Sequence, residues 1–256
     1  MRYGCRRHLN LGGPVTDQAR AAAVAAAVER IQPGMTIGLG SGRAVFALVE
    51  AIGARWGPRP PLRAAVASER TAGLVRAAGI ELVELDGTRV LDLALDGADE
   101  LDGQLDLIKG GGGALLREKL VALAAARLVV VAEAAKLVER LGARHTVPVE
   151  VVRFGWADTR RRLLGLVPAA VRRAAPDGHP VVTDEGHYLL DCTLPADGLG
   201  ALAAAVKATV GVVEHGLFLG LAAEALLGRP DGGLLVLSRP AGQPAPGAGP
   251  GPGRTR

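Results

Sequence analysis

The sequence predicts an α/β protein whose mostly parallel sheet is followed by a smaller α+β unit. Three observations support this fold class. Short aliphatic strands alternate with helical stretches between residues 35 and 132, as in βαβ units. Aromatic residues make up only 3% of the chain, so the core is built from the aliphatic runs that are typical of buried parallel strands. From about residue 144 the strand-like segments are separated mainly by turns, which indicates a change of architecture.

In the first part of the chain, apolar runs and their glycine or proline stops predict the elements in turn. Thr16 or Asp17 can cap a helix over residues 21–31, which ends at Pro33-Gly34. Further helices are predicted over 44–54, from Glu69 to Gly79, and over 114–126. The predicted strands are 35–39, 63–67, 80–85, 90–95, 105–108 and 128–132. Polar clusters follow several of these strands, at the edge where open α/β sheets bind ligands.

The second part of the chain predicts a smaller unit. Strand character is found in residues 148–153, 181–183, 188–192 and 210–214, and helical character in 199–208. Residues 217–227 and 234–238 are expected to rejoin the main sheet. We therefore expect a larger α/β domain over 15–143 plus 217–239, and a smaller α+β domain over 144–216. Residues 1–14, an irregular leader, and the Pro/Gly-rich tail 240–256 are predicted to be disordered.

The formal charge of +4 belongs to the ends of the chain. Six arginines and no acidic residues fall within 1–14 and 239–256, so residues 15–238 carry a net charge of −2. The body of the protein has no net attraction for polyanions, and we expect no nucleic-acid partner.

Cysteine, histidine and hydropathy patterns argue against further classes. Cys5 and Cys192 provide neither a disulfide framework nor a zinc motif, and the five histidines lack metal-ligand spacing. No apolar run reaches the roughly 18–20 residues of a membrane span, and no apolar stretch follows the N-terminal arginines as in a signal peptide. We expect a cytoplasmic protein that uses no metal and has no membrane partner.

The first polar cluster is Gly38-Leu39-Gly40-Ser41-Gly42, between a predicted strand and a predicted helix. Glycines allow backbone N–H groups to approach an anion at a helix N-terminus. Arg43 stands where GxGxxG requires its last glycine, which disfavours a dinucleotide and leaves a small phosphate site open. A tight turn that packs helix on strand explains the motif equally well.

The second cluster, Asp96-Gly97-Ala98-Asp99-Glu100, follows an aliphatic strand. Three acids in five residues can bind Mg²⁺ or the hydroxyl groups of a sugar. A solvated turn that uses Asp and Gly for their turn geometry is an equal alternative.

The third cluster runs from Lys109 through four glycines to Arg117-Glu118-Lys119. Four consecutive glycines are costly to order and indicate a backbone that approaches a ligand closely. Lys109 can offset the charge of a developing oxyanion. Glu118 shares helical spacing with Leu115 and Ala122, so burial is expected to raise its pKa towards that of a useful base. Taken alone, an exposed charged run is the simpler interpretation.

Together the clusters fit one reaction. A phosphate cradle, acids for hydroxyl groups, a lysine and a glutamate base are what aldose–ketose isomerisation requires. The base moves a proton between neighbouring carbons through a cis-enediolate, and the lysine stabilises the charged oxygen.

Residues 91–142, with DGADE and KGGGG followed by REK, resemble the core of the type A ribose-5-phosphate isomerases. Similar segments are IQPGMTIGLGSG at 31–42, VASERTAGL at 66–74, PVEVV at 148–152, VVTDEGHYLLD at 181–191 and GVVEHGLF at 211–218. The resemblance extends from about Val15 to Arg239 in the family's order.

The resemblance implies a Rossmann-like sheet domain, which is catalytic, with a smaller α+β, ferredoxin-like lid domain, in dimers or tetramers. It implies interconversion of D-ribose 5-phosphate and D-ribulose 5-phosphate in the non-oxidative pentose phosphate pathway, without cofactor or metal. Glu118 matches the proton acceptor, and Asp96 and Lys109 complete the implied catalytic set. The implied substrate-binding residues are Arg20, Ser41, Gly42, Arg43, Ala44, Asp96, Gly97, Ala98, Asp99, Lys109, Gly110, Gly111, Gly112 and Lys136.

Four residues depart from the family's pattern. Arg43 and Ala44 replace residues of a TGST-like phosphate loop, Arg20 replaces a frequent lysine, and Leu116 replaces a common threonine. The proton-transfer groups are intact. Two rival hypotheses stay open: a sugar-phosphate sensor on the same fold, and a CoA transferase whose glutamate forms an acyl-enzyme.

Overall fold

The computed structural model describes residues 14–88 and 90–239. In these ranges the α-helices are α1 (Pro14–Val28), α2 (Arg43–Trp56), α3 (Glu69–Ala77), α4 (Leu115–Leu123), α5 (Trp156–Leu163) and α6 (Leu199–Ala208), with a 3₁₀ turn at Ala134–Lys136. The strands are β1 (Thr36–Leu39), β2 (Arg63–Val66), β3 (Glu81–Leu82), β4 (Leu93–Asp96), β5 (Glu100–Leu101), β6 (Leu107–Ile108), β7 (Leu128–Glu133), β8 (Val147–Val151), β9 (Ala170–Arg172), β10 (Tyr188–Cys192), β11 (Val212–His215), β12 (Leu217–Phe218), β13 (Ala222–Gly228) and β14 (Leu234–Ser238).

The larger sheet has seven strands in the order β14-β13-β7-β4-β1-β2-β3. Neighbouring strands are parallel, except that β14 runs antiparallel to β13. The predicted α/β architecture with a mostly parallel sheet is therefore confirmed. Because the carboxyl ends of β1, β4 and β7 lie side by side, the loops that follow these strands meet at one edge.

Helices cover both faces of this sheet. Leu93 and Leu95 of β4 share a buried cluster with Leu48 of α2, whereas the intervening Ala94 packs in a second cluster with Val121 of α4. Successive strand residues point to opposite faces, so a strand covered on both sides must be apolar throughout. This is why β4 and β7 read as continuous aliphatic runs.

The smaller unit is an antiparallel sheet in the order β11-β8-β10-β9. Leu163 of α5 and Val206 of α6 pack in one cluster with Val149 and Leu190 of the sheet. The chain order β-α-β-β-α-β with this strand order is ferredoxin-like, which confirms the predicted α+β unit. A third sheet, β12-β6-β5, contains the strand that leads directly into Lys109.

Several predicted elements differ from the observed ones. The helix predicted over 21–31 begins at Pro14, where a first-turn proline is well tolerated, and ends at Val28. The strand predicted over 80–85 is reduced to the two-residue β3 at the sheet edge. The segment predicted over 217–227 is divided into β12 and β13, because Gly220 adopts a φ of 72° between them.

In the smaller unit one predicted strand is wrong, and two observed elements were not predicted. Residues 181–183 form no strand, since only Val182 makes a single bridge with Tyr188 across the intervening turn. The sequence also gives no warning of α5 and β9. The helix α5 carries three arginines and buries only Thr159 and Leu163, so its apolar period is too weak to recognise.

The leader predicted to be disordered over 1–14 is wrong at Pro14, which begins α1. The rest of that leader and the tail predicted over 240–256 lie outside the described residues, and the domain limits drawn from the sequence stay predictions. No helix in the described ranges is long and apolar enough to cross a membrane.

Candidate active site

A cavity of ≈ 270 Å³ lies at the carboxyl ends of β1, β4 and β7. Of the residues predicted for the site, its walls contain Arg20, Ser41, Gly42, Arg43, Ala44, Gly97, Ala98, Asp99, Lys109, Gly110, Gly111, Gly112, Glu118 and Lys136. The remaining predicted residue, Asp96, is buried and paired with Lys109. The fold therefore brings together the three clusters, of which the first lies more than 50 residues before the other two in the sequence.

Lys109 stands between two buried carboxylates. Its Nζ lies 2.9 Å from Asp96 Oδ2 and 3.4 Å from Glu118 Oε2, and donates to the carbonyl oxygen of Gly97 at 2.8 Å. Asp96 also accepts hydrogen bonds from the backbone N–H groups of Ser41 and Gly97. By contrast, Glu118 Oε2 is buried and has no hydrogen-bond donor in the described part of the chain. One ammonium group thus forms ion pairs with two carboxylates, and Glu118 accepts fewer hydrogen bonds than Asp96.

This arrangement controls the protonation of the three groups. Burial raises the pKa of Glu118 to about 8; the charges of Asp96 and Asp99 add to this effect, and Lys109 opposes it. Burial also raises the pKa of Asp96, against the opposing effects of Lys109 and two backbone donors. For Lys109, burial lowers the pKa but the two carboxylates outweigh it, so the pKa is raised and the ammonium stays charged. Glu118 can therefore exchange a proton near neutral pH beside a permanent cation.

Local structure explains how these side chains reach the cavity. Asp96 ends β4, and a Cβ atom on Gly40 would lie only 1.8 Å from its Cγ, so the glycine after β1 makes room for the carboxylate. Glu118 lies on the buried face of α4 with Leu115 and Ala122. The alternative of an exposed charged run is excluded for Glu118, which is only 5% exposed.

The glycine loop, residues 110–113, carries the chain from Lys109 to α4. Gly110 and Gly113 have φ values of 100° and 85°, which side chains rarely adopt, and the N–H of Gly113 donates to the carbonyl of Gly110. The N–H of Gly111 donates to Asp99 Oδ2 at 2.7 Å, an approach that a Cβ atom would obstruct. The loop is therefore a close backbone wall of the cavity.

The N-terminus of α2 forms another part of the cavity wall. Its N-cap residue, Gly42, has a φ of 105° and offers no side-chain cap for the first N–H groups of the helix. Arg20, which donates to Glu133 Oε1 at 2.8 Å, and Lys136 also line this cavity. The N–H groups at a helix N-terminus, the helix dipole and two cationic side chains suit a phosphate group.

A model of the ribose 5-phosphate isomerase A (phosphoriboisomerase A) family matches residues 63–232. The chain belongs to the ribose-5-phosphate isomerase A family. The family member of Synechococcus sp. (strain JA-3-3Ab) is 49% identical over 219 residues, which cover 84% of this chain and 95% of that protein. The family member of Roseiflexus sp. (strain RS-1) is 50% identical over 210 residues, covering 80% and 90%. Its solved relatives include ribose 5-phosphate isomerase from Plasmodium falciparum, 33% identical with a TM-score of 0.82 over 88% of this chain and 99% of that one.

As a member of the ribose-5-phosphate isomerase A family, the chain is an aldose–ketose isomerase by relationship. Val131, Ala132 and Glu133 also line its cavity, although they are not among the residues predicted from the sequence. Their position at the carboxyl end of β7 was the available signal, because the same rule had selected the residues after β4. In the described ranges no group of three or more His, Cys, Asp or Glu residues could hold a metal ion.

Proposed function

We propose that this chain interconverts D-ribose 5-phosphate and D-ribulose 5-phosphate through a cis-enediolate, with Glu118 as general base. The observation that carries the proposal is the pairing of Glu118 with Lys109 in the cavity. Glu118 has a raised pKa, and its Oε2 accepts no hydrogen bond from the described residues, although it lies 3.4 Å from the buried ammonium group of Lys109. A base and a fixed positive charge at that distance fit a proton transfer that creates an oxyanion.

The proposed reaction moves one proton between neighbouring carbons. In the open-chain aldose, Glu118 removes the proton on C2, and the electron pair forms the C1–C2 double bond while the C1 oxygen becomes negative. Lys109 offsets that charge. Glu118 then returns the proton to C1, O1 gains a proton and the hydroxyl at C2 loses one, which gives the ketose. We assign that hydroxyl relay to Asp99, which lines the cavity beside the glycine loop.

The other site residues bind and position the substrate in this proposal. Asp96 fixes the ammonium of Lys109 between the carboxylates. The phosphate lies at the N-terminus of α2, against residues 41–44, Arg20 and Lys136. A D-ribose-5-phosphate isomerase that is 28% identical to this chain, with a TM-score of 0.82, has been solved in complex with phospho-erythronic acid. That ligand joins a phosphate to a planar carboxylate, which resembles the charge pattern of the enediolate.

Glu118→Gln tests the proposed base, because the amide keeps the shape of the side chain and cannot accept the proton. We expect turnover of ribose 5-phosphate, measured with EDTA present, to fall by about 10³-fold or more while calorimetric binding persists. Glu50→Gln, an exposed glutamate of α2, is the matched control and is expected to leave turnover unchanged. Substantial activity in Glu118→Gln would contradict the assignment.

Solvent isotope labelling tests the intermediate. In D₂O, a proton that passes through Glu118 can exchange with solvent, so deuterium is expected at C1 of the ribulose 5-phosphate. Complete retention of the substrate hydrogen would favour a direct hydride shift. Binding without turnover by the folded wild type would instead favour a sugar-phosphate sensor. The place in the non-oxidative pentose phosphate pathway and assembly into dimers or tetramers stay predictions.

A further inference from the structure

Arg173 reaches from the smaller sheet to the glycine loop. It follows β9, and its Nη1 donates to the carbonyl oxygens of Gly110 at 2.9 Å and Gly111 at 3.0 Å. Both carboxylate oxygens of Asp191, in β10, accept hydrogen bonds from the same guanidinium: Oδ2 from Nε at 3.0 Å and Oδ1 from Nη2 at 2.5 Å. The side chains of Arg173 and Asp191 are only 18% and 25% exposed. A bidentate pair of this kind fixes the direction of the guanidinium as well as its charge.

The two carbonyl contacts define how the peptide groups of the loop are oriented. In a trans peptide the C=O and the following N–H point in opposite directions, and no cis peptide occurs in the described residues. The first peptide group follows this rule, because Gly110 C=O meets Arg173 while Gly111 N–H meets Asp99. In the second peptide group, between Gly111 and Gly112, the C=O of Gly111 accepts a hydrogen bond from Arg173. The N–H of Gly112 must therefore point away from Arg173, towards the side on which Asp99 lies.

A loop of four glycines needs contacts from outside the loop to keep one conformation. Glycine loses more conformational freedom on ordering than any other residue, and residues 110–113 have no side chains to anchor them. The loop is bounded by Lys109 and leads directly into α4, which carries Glu118. A change in its peptide planes would therefore alter the wall of the cavity next to both reacting groups.

We propose that Arg173, oriented by Asp191, is a positioning residue that holds the glycine loop in its reactive conformation. The proposal rests on the proposed isomerase function. It assigns to the smaller unit a direct part in preparing the site, since a residue that directly follows β9 sets the direction of backbone N–H groups in the cavity wall. Arg173 itself is absent from the cavity lining, and its contact with the cavity is through the loop that forms this wall.

The test compares Arg173→Ala and Arg173→Lys with a matched control. Arg161→Ala removes an arginine that also pairs with an aspartate, Asp158, but lies on the surface of α5 away from the loop. The Arg173 variants keep the backbone bonds from Arg173 N–H to Leu189 and from Val181 N–H to Arg173, so the local chain path has independent support. The readouts are kcat, KM, the melting temperature and amide hydrogen exchange of residues 110–114.

We expect Arg173→Ala to lower kcat by on the order of 10²-fold, with a smaller change in KM, since a displacement of about 1 Å near the reacting groups has an effect of that size. Exchange of the loop amides is expected to accelerate. The kcat of Arg173→Lys should lie between those of wild type and Arg173→Ala, because an ammonium group cannot bind two carbonyl oxygens and both oxygens of a carboxylate at once. The lysine variant also provides the test if the alanine variant does not fold. Arg161→Ala should match wild type.

The outcomes separate the two proposals. Folded Arg173 variants with wild-type kcat would overturn the positioning role, whatever their loop exchange. Lower melting temperature with unchanged kcat would reduce Arg173 to a structural residue. If wild type and Arg161→Ala both fail to isomerise ribose 5-phosphate, the proposed function fails, and loop exchange alone then decides whether Arg173 positions the loop.

Discussion

Gly40→Ala is the smallest change that should disable the site, because the glycine and Asp96 occupy adjoining space. A Cβ atom at position 40 would lie 1.8 Å from Asp96 Cγ, 1.9 Å from Oδ1 and 2.2 Å from Oδ2. Gly40 is itself tied in place, since its N–H donates to Leu95 and its carbonyl accepts from Thr71. Because a shift of the backbone at position 40 would break these two hydrogen bonds, we expect the side chain of Asp96 to move instead.

The size of the effect follows from these distances. Ordinary contact begins near 3.4 Å, so the carboxylate must shift by about 1.6 Å. That shift is enough to break its 2.7 Å bond from Gly97 N–H and its 2.9 Å pairing with Lys109. Two hydrogen bonds to a buried charge are together worth about 4 kcal/mol. Displacement of Lys109 by about 1 Å from its place beside Glu118 adds a loss of about 10²-fold in rate.

The assay combines urea denaturation with steady-state isomerisation of ribose 5-phosphate. Gly73→Ala is the control, because Gly73 lies within α3 and a Cβ atom there meets nothing within 4 Å. This control should be as stable as wild type or more stable by up to about 1 kcal/mol, with unchanged kinetics. Equal stability and activity of Gly40→Ala and Gly73→Ala would refute the reasoning.

Two predictions concern pH. Glu118 acts as a base only when it is ionised, and its pKa is about 8. In a pH–rate profile, kcat/KM should therefore rise roughly tenfold per pH unit up to about pH 8 and then level off. A flat profile between pH 6 and 8 would contradict this prediction. Burial lowers the pKa of His215 to about 4 from 6.5, so below pH 6.5 the unfolded chain binds a proton that the folded chain does not. Wild type should then lose about 3 kcal/mol more than His215→Asn between pH 7 and 4 in urea titrations, and parallel stability curves would exclude this role.

Much of the site could be predicted because the rule that locates it is local. Acids and glycines that directly follow aliphatic strands share one edge of a parallel sheet, so Asp96, Asp99 and Ser41 could be assigned before any contact was known. The period of α4 placed Glu118 with Leu115 on the apolar face. The same rule would have found Glu133 at the end of β7.

Other features left no readable signal. Arg173 lies 63 residues from Gly110 in the sequence, directly after the strand β9, which the sequence did not predict. Nothing in the sequence distinguishes this arginine from the many others as a partner of the loop. The short β3 and the polar α5 bury too few side chains for their periodicity to stand out. These elements depend on the neighbours that cover them.

The sequence by itself determined the α/β class, the clusters that follow the strands and the chemical groups available to an isomerase. Only the tertiary structure decided that one lysine lies between Asp96 and Glu118, and that an oxygen of Glu118 accepts no hydrogen bond within the described part of the chain. The physical reason is that hydrophobic periodicity depends on the order of neighbouring residues, which the sequence shows directly. Protonation and hydrogen bonding depend instead on which groups share a desolvated volume, and that is set by distances between segments far apart in the sequence.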